Sequence, residues 1–155
     1  MGFFDGYNVA TSGMSAQRTR INVVSSNIAN AKTTHTAEGG PYKKQQVVFE
    51  DVLIANTSKR TNRNDIEVSN NSKSDISLRG VGVRSIIQSD AKPVLRYDPT
   101  HPDADEKGYV AYPDINPVIE MVDLIEAMRS YEANVTSFNT HRGIDTKTIE
   151  ILSNN

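Results

Sequence analysis

Apolar residues at Met121, Leu124, Met128, Tyr131, Val135 and Phe138 follow one another at steps of three, four, three, four and three. That is the spacing of a helix that packs along its length against another helix. Ile149 and Leu152 resume the rhythm, and a second row of Val118, Val122 and Ile125 widens the stripe near its start, enough to touch more than one neighbour. The other end of the chain repeats the pattern with Tyr7, Ala10, Met14, Gln17, Ile21, Val24, Ile28 and Ala31, Gln17 being the one polar member. Helices are therefore predicted over 3–31 and from Pro117 to about Leu152. The first row would run roughly 36 Å at 1.5 Å per residue. Asp5 or Asn8 can cap the first helix. Asn116 can cap the second, with Pro117 in its first position and Glu120 and Asp123 near its positive end. Within the first helix, Ser12-Gly13-Met14-Ser15-Ala16 lowers helix propensity, by about 1 kcal/mol at Gly13, but small residues let another backbone come close.

Between the helices the period changes from helical to alternating. Gly39-Gly40-Pro41 is a turn signal, and Val47, Val48 and Phe49 mark a strand over 43–50 that residues 51–55 continue or cap. Residues 56–75 are rich in Asn and Ser and poor in apolar residues, the composition of a polar loop. A second strand is predicted over 76–89, where Gly80 and Gly82 point to a bulge or a close backbone approach. Two short strands, 94–97 and 109–112, flank a connection too long for a tight hairpin. The expected fold is α+β. Terminal helices in 1–34 and 117–155 form a coiled-coil-like pair or bundle, with a small β domain inserted over 35–116.

Composition points to an elongated molecule whose burial is partly supplied by partners. Hydrophobic content is 37%, with four Phe, six Tyr and no Trp, and mean hydropathy is −0.49, so a large single core is hard to build. A net charge of −2 gives no general attraction to nucleic acid. The absence of cysteine excludes disulfides, thiolate metal sites and thiol nucleophiles. No run approaches the roughly 18–20 apolar residues that span a bilayer, and the first residues lack the pattern of a cleaved signal. Charge differs between the ends. Arg18, Arg20 and Lys32 against Asp5 leave the first positive. Glu120, Asp123, Glu126, Glu132, Asp145 and Glu150 against Arg129, Arg142 and Lys147 leave the last negative, which favours their association.

Candidate chemistry is sparse. His35, His101 and His141 lie far apart. In a calcium-loop frame Asp103, Asp105 and Gly108 fit, but Lys107 puts a cation at the fifth position and Asp114 replaces the bidentate Glu of the twelfth. Asp103, Asp105 and Glu106 are all that a hydrolytic reading has to offer. No phosphate loop, nucleophile elbow or paired-carboxylate setting is present. No catalytic, cofactor-binding or metal-binding residue is predicted.

The ends carry motifs as well as periodicity. Ser12-Gly13-Met14 with Ala16-Gln17 and Arg20, then Ser26-Asn27-Ile28-Ala29-Asn30-Ala31, resembles the N-terminal signature of the bacterial flagellar rod and hook proteins. Glu38-Gly39-Gly40-Pro41-Tyr42, Gly108-Tyr109-Val110-Ala111-Tyr112-Pro113, Glu120-Met121-Val122-Asp123-Leu124-Ile125 and Arg129-Ser130-Tyr131-Glu132-Ala133-Asn134-Val135 narrow the resemblance to proximal rod subunits of that family. The resemblance implies a structural subunit, exported through the flagellar type III apparatus without a cleaved signal. It would add to a helical tube across the periplasm that transmits motor torque and conducts later subunits. Its implied partners are copies of itself, the proximal rod proteins FlgB and FlgF, the rod-base adaptor FliE, the distal rod protein FlgG, and membrane-ring and export-gate proteins. No cofactor is implied. On this reading the interface residues are Tyr7, Met14, Gln17, Ile21, Val24 and Ile28 with Met121, Leu124, Met128, Tyr131, Val135 and Phe138. The motif residues are Asn27, Ala29, Asn30, Gly40, Pro41, Tyr42, Ser130 and Asn134. Gln17 and Arg142, polar at helical seam positions, are candidates for fixing register. The alternative is a small β-domain binding module that oligomerises through its helices and has no flagellar role.

Overall fold

The computed structural model describes residues 5–56 and 77–153. The expected polar loop lies outside the described residues apart from Asn56, as does the start of the expected first helix.

Helix α1 spans Asp5–Ala29. It is already under way at Asp5, so Asn8 sits inside it rather than capping it. It also stops short of the expected Ala31. There the Asn30 side chain competes with the helix ladder, donating to the Ser26 carbonyl at 2.9 Å and accepting from Thr33 Oγ1 at 3.1 Å. The chain then doubles back. Gly39 and Gly40 have φ of 88° and 76°, the left-handed region that favours glycine, and Tyr42 N–H donates to the Thr33 carbonyl at 3.1 Å.

Strands β1 (Gln45–Asn56) and β2 (Ser77–Gln88) form an antiparallel ribbon. Pairing runs to Asn56, so residues 51–55 extend the strand. The ribbon has one bulge in each strand, at Arg84 and at Ile54, so of the bulge or close approach expected at Gly80 and Gly82 the bulge lies elsewhere. Gly80 instead provides the close approach. It is buried, and a methyl group there would overlap Ile54 and the Ser12 hydroxyl of α1. Strands β3 (Val94–Tyr97) and β4 (Tyr109–Tyr112) make a second antiparallel ribbon. Asp105 organises the intervening loop, its Oδ1 accepting from the backbone N–H groups of Lys107 at 2.9 Å and Tyr109 at 2.8 Å.

Helix α2 spans Pro117–Ser153 and passes through Gly143 without interruption. Asn116 caps it, with Oδ1 accepting from Val118 N–H at 3.0 Å. It runs antiparallel to α1: Gly6 lies against His141, Gly13 against Asn134, and Asn27 against Glu120. α1 is thus held between α2 and the β1–β2 ribbon, whose far part meets Ser12 and whose near end meets Asn27. The apolar core among the described residues is small: Ala10, Ala16, Val23, Val24, Val110 and Ala127. The fold is α+β, as expected.

Candidate assembly surface

Two rows of α2 compete for the contact with α1. Leu124, Tyr131 and Phe138 belong to the predicted row and are half-buried, and the Phe138 ring meets Tyr7 edge-on with centroids 4.9 Å apart. The positions that complete the contact are Glu120, Ala127 and Asn134. Glu120 and Ala127 are 1% and 0% exposed, and Asn134 lies beneath Gly13, where the missing side chain makes room for its amide. Met121 and Met128 are 50% and 47% exposed, and Val135 is half-buried. The second row stands out further, with Val118 at 68%, Val122 at 60% and Ile125 at 52%.

On α1, Val24 is buried, while Tyr7, Met14, Gln17, Ile21 and Ile28 are half-buried. At 3.6 residues per turn, Met14, Ile21 and Ile28 sit about a quarter-turn past the line of Gly13 and Asn27, on the flank opposite Ser12 and the ribbon. Because the helices are antiparallel, Met121, Met128 and Val135 fall on that same flank of the pair. The two helices therefore share one apolar flank turned away from the sheet. Gln17 Oε1 is buried without a hydrogen-bond partner among the described residues, and Arg142 is exposed.

The opposite flank is polar and tightly bonded. Asn27, 1% exposed, pairs with Gln45 as a strand would: its Nδ2 donates to the Gln45 carbonyl at 2.8 Å and its Oδ1 accepts from Gln45 N–H at 2.9 Å. Nδ2 also donates to Glu120 Oε2 at 3.0 Å, and Oδ1 accepts from the Tyr42 hydroxyl at 3.2 Å. Both donors and both acceptor sites of the amide are used. Glu120 Oε1 meets Lys44 Nζ at 2.6 Å. Tyr42 is also within 3.3 Å of the Ser26 hydroxyl, so the turn at Gly40-Pro41 delivers Tyr42 to this network. Asn30 ends α1, Ala29 is exposed, and the Ser130 carbonyl accepts from Asn134 Nδ2 at 2.9 Å.

Opposite charges also meet between the helices, Arg20 and Asp123 at 3.8 Å. At the far end the Tyr7 hydroxyl donates to Asp145 Oδ2 at 2.5 Å. That bond, followed by desolvation and the negative charge of Asp145, raises the Tyr7 pKa above its ordinary 10.0.

Sequence reasoning missed Glu120, Lys44 and Asp145 as contact residues. Glu120 reads as a helix-dipole residue, and only its place in the row with Ala127 and Asn134 signals an inward position. Arg20, Asn27, Lys44, Phe49, Glu120 and Asp123 line a cleft of about 360 Å³ on this polar flank. Its charged groups pair with one another, Arg20 with Asp123 and Lys44 with Glu120. Among the described residues no group of His, Cys, Asp or Glu is placed to hold a metal ion, and no helix is long and apolar enough to cross a membrane.

Comparison with known proteins gives this arrangement a class. Residues 8–34 match the family described as flagella basal body rod protein. Residues 106–151 match the one described as flagellar basal body rod FlgEFG protein C-terminal. Both terminal helices are thus those of flagellar basal-body rod proteins. The chain is 42% identical to the flagellar basal-body rod protein FlgC of Borreliella burgdorferi, over 98% of this chain and 99% of the relative. It is 41% identical to FlgC of Bacillus subtilis, over 96% and 97%, and 35% identical to FlgC of Escherichia coli O6:H1, over 97% and 98%. The chain belongs to the FlgC family of flagellar basal-body rod proteins. Nothing in these comparisons favours a binding module without a flagellar role.

Proposed function

We propose that the chain is a structural subunit of the flagellar rod, with no catalytic activity of its own, that joins a helical tube through its terminal helices. The observation that carries this reading is the inversion on α2. A charged Glu120 is buried within the chain, while Val118, Met121, Val122, Ile125 and Met128 face outward. An apolar flank shared by two antiparallel helices finds its burial in the helices of neighbouring subunits, as in other helical assemblies. The helices of 1–34 and 117–155 then form the inner layer, and the β unit of 35–116 lies outside it. The interface residues are those of the shared flank and of the row Leu124, Tyr131 and Phe138.

Neighbours in this reading are copies of the chain and other rod components. FlgB, FlgF, FliE and FlgG are the specific candidates, with membrane-ring and export-gate proteins at the base. Its place is the periplasmic rod of the basal body, reached through the flagellar export apparatus with no segment removed. Rod subunits joined along their length transmit torque, and the tube they enclose conducts later subunits.

The test is photo-crosslinking in intact basal bodies from residues placed at Met121 and Ile125. Adducts to rod subunits are expected. Adducts confined within the chain, or absence of the protein from purified basal bodies, would refute the reading.

A further inference from the structure

The apolar pattern of α2 offers a second way of lying on α1 besides the one the structure adopts. Leu124, Tyr131 and Phe138 are common to both. The structure turns the Glu120, Ala127 and Asn134 row inward and leaves Met121 and Met128 about half exposed. A rotation of roughly 50° about the axis of α2 exchanges that row for Met121, Met128 and Val135. Apolar burial alone favours the exchange, because it shelters two methionines and a valine and returns a carboxylate and an amide to water. The structure shows the opposite choice.

We infer that the Asn27–Glu120–Lys44 network is a rotational lock that keeps the methionine row of α2 facing outward. Asn27 cannot adapt to a rotated α2. Its amide orientation is fixed by the two-point pairing with the backbone of Gln45, so one Nδ2 hydrogen always points to where Glu120 Oε2 now lies. Rotation would leave that buried donor unpaired and separate Lys44 from the carboxylate it meets at 2.6 Å. Both losses are costly because Asn27 and Glu120 are each only 1% exposed. The Arg20–Asp123 pair acts on the same flank, and the Tyr7–Asp145 hydrogen bond holds the far end of the helix pair. Buried polar groups serve here as they do in coiled coils, selecting one packing among several that apolar contacts permit. The purpose of the lock rests on the proposed assembly role, since an outward methionine row matters only when a neighbour covers it. Its existence does not.

Methionine oxidation by dilute hydrogen peroxide, read peptide by peptide on the purified full chain against added N-acetylmethionine, separates the two packings. In the parent, Met121 and Met128 are expected to oxidise readily. The double variant Lys44→Leu/Glu120→Ser removes both charges, leaves neither alone and puts no large apolar side chain at 120 to hold that row inward. In the folded variant Met121 and Met128 are expected to oxidise roughly fivefold more slowly as they turn inward. Unchanged oxidation in a folded double variant overturns the lock. Should the double variant fail to fold, Asn27→Ser carries the test: it cuts the link to Glu120, slower oxidation of Met121 is expected, and parental rates overturn the proposal. Oxidation of the unaltered protein inside basal bodies tests the assembly role separately. Met121 and Met128 left unprotected there would sink that role and leave the lock standing.

Discussion

Asn27 shows how narrowly one position in this chain is specified. Its two donors and two acceptor sites are taken up by Gln45, Glu120 and Tyr42, so only a side chain with both kinds of group at that reach fits. Asp has the shape but no donor, and would set a second carboxylate against Glu120. Asn27→Asp is therefore expected to destabilise the chain by about 3 kcal/mol, more than Asn27→Ala at about 1–3 kcal/mol, in denaturant titrations. Tyr7 makes a pH-dependent contribution of known sign. Its folded pKa is raised above 10.0, chiefly by the hydrogen bond to Asp145. The stabilisation is therefore fully present below pH 10 and lost as pH rises through the folded value. Unfolding midpoints above pH 10 are expected to fall more steeply in the parent than in Tyr7→Phe. Asn27 was legible in the sequence as a motif residue, and Tyr7 as a helix-row residue. Their partners were not, because a buried carboxylate looks like a surface one until the fold shows which side of its helix is covered.

At the scale of elements, the two helices and four strands were legible from period and turn residues, because those signals are local. The short strands Val94–Tyr97 and Tyr109–Tyr112 fall where alternation puts them. The rotation of α2 was not legible from its apolar row. The most apolar line along α2 is half outward, since the chain alone does not cover it. Covering the exposed half of Met121 and of Met128 would be worth about 1 kcal/mol each, a stabilisation that assembly can collect. Two glycines give opposite expectations. Nothing lies within 4 Å of the space a side chain would take at Gly143, on the exposed surface of α2. Gly143→Ala should stabilise by about 0.5–1 kcal/mol through helix propensity. Gly80 is filled around by Ile54 and Ser12, and Gly80→Ala should destabilise by about 1–3 kcal/mol through overpacking between α1 and the ribbon. Thermal melts of the two variants check both signs.

Among the described residues few apolar side chains are fully buried, and most of those are alanine or valine. Such a core is expected to put the helix pair near the low end of local stability in the free chain. Low composition-derived hydrophobicity foretold this, although it could not say which surfaces would remain bare. Amide exchange across 21–31 and 121–138 is expected to slow by about 100-fold or more when the chain is incorporated into basal bodies. Equal protection in a true monomer would contradict the need for neighbours. An easily opened chain also suits a molecule proposed to travel to its site unfolded and to gain rigidity on arrival.

The β1–β2 ribbon carries one last implication. Asn56 and Ser77 are paired across it, so the backbone departs from the described structure and returns to it at adjacent points. Two bulges, one per strand, cancel in count, and the strands arrive at that doorway level with each other. The scaffold thus sets only the spacing of a pair of posts. A change of length between the posts is therefore expected to leave both helices where they are.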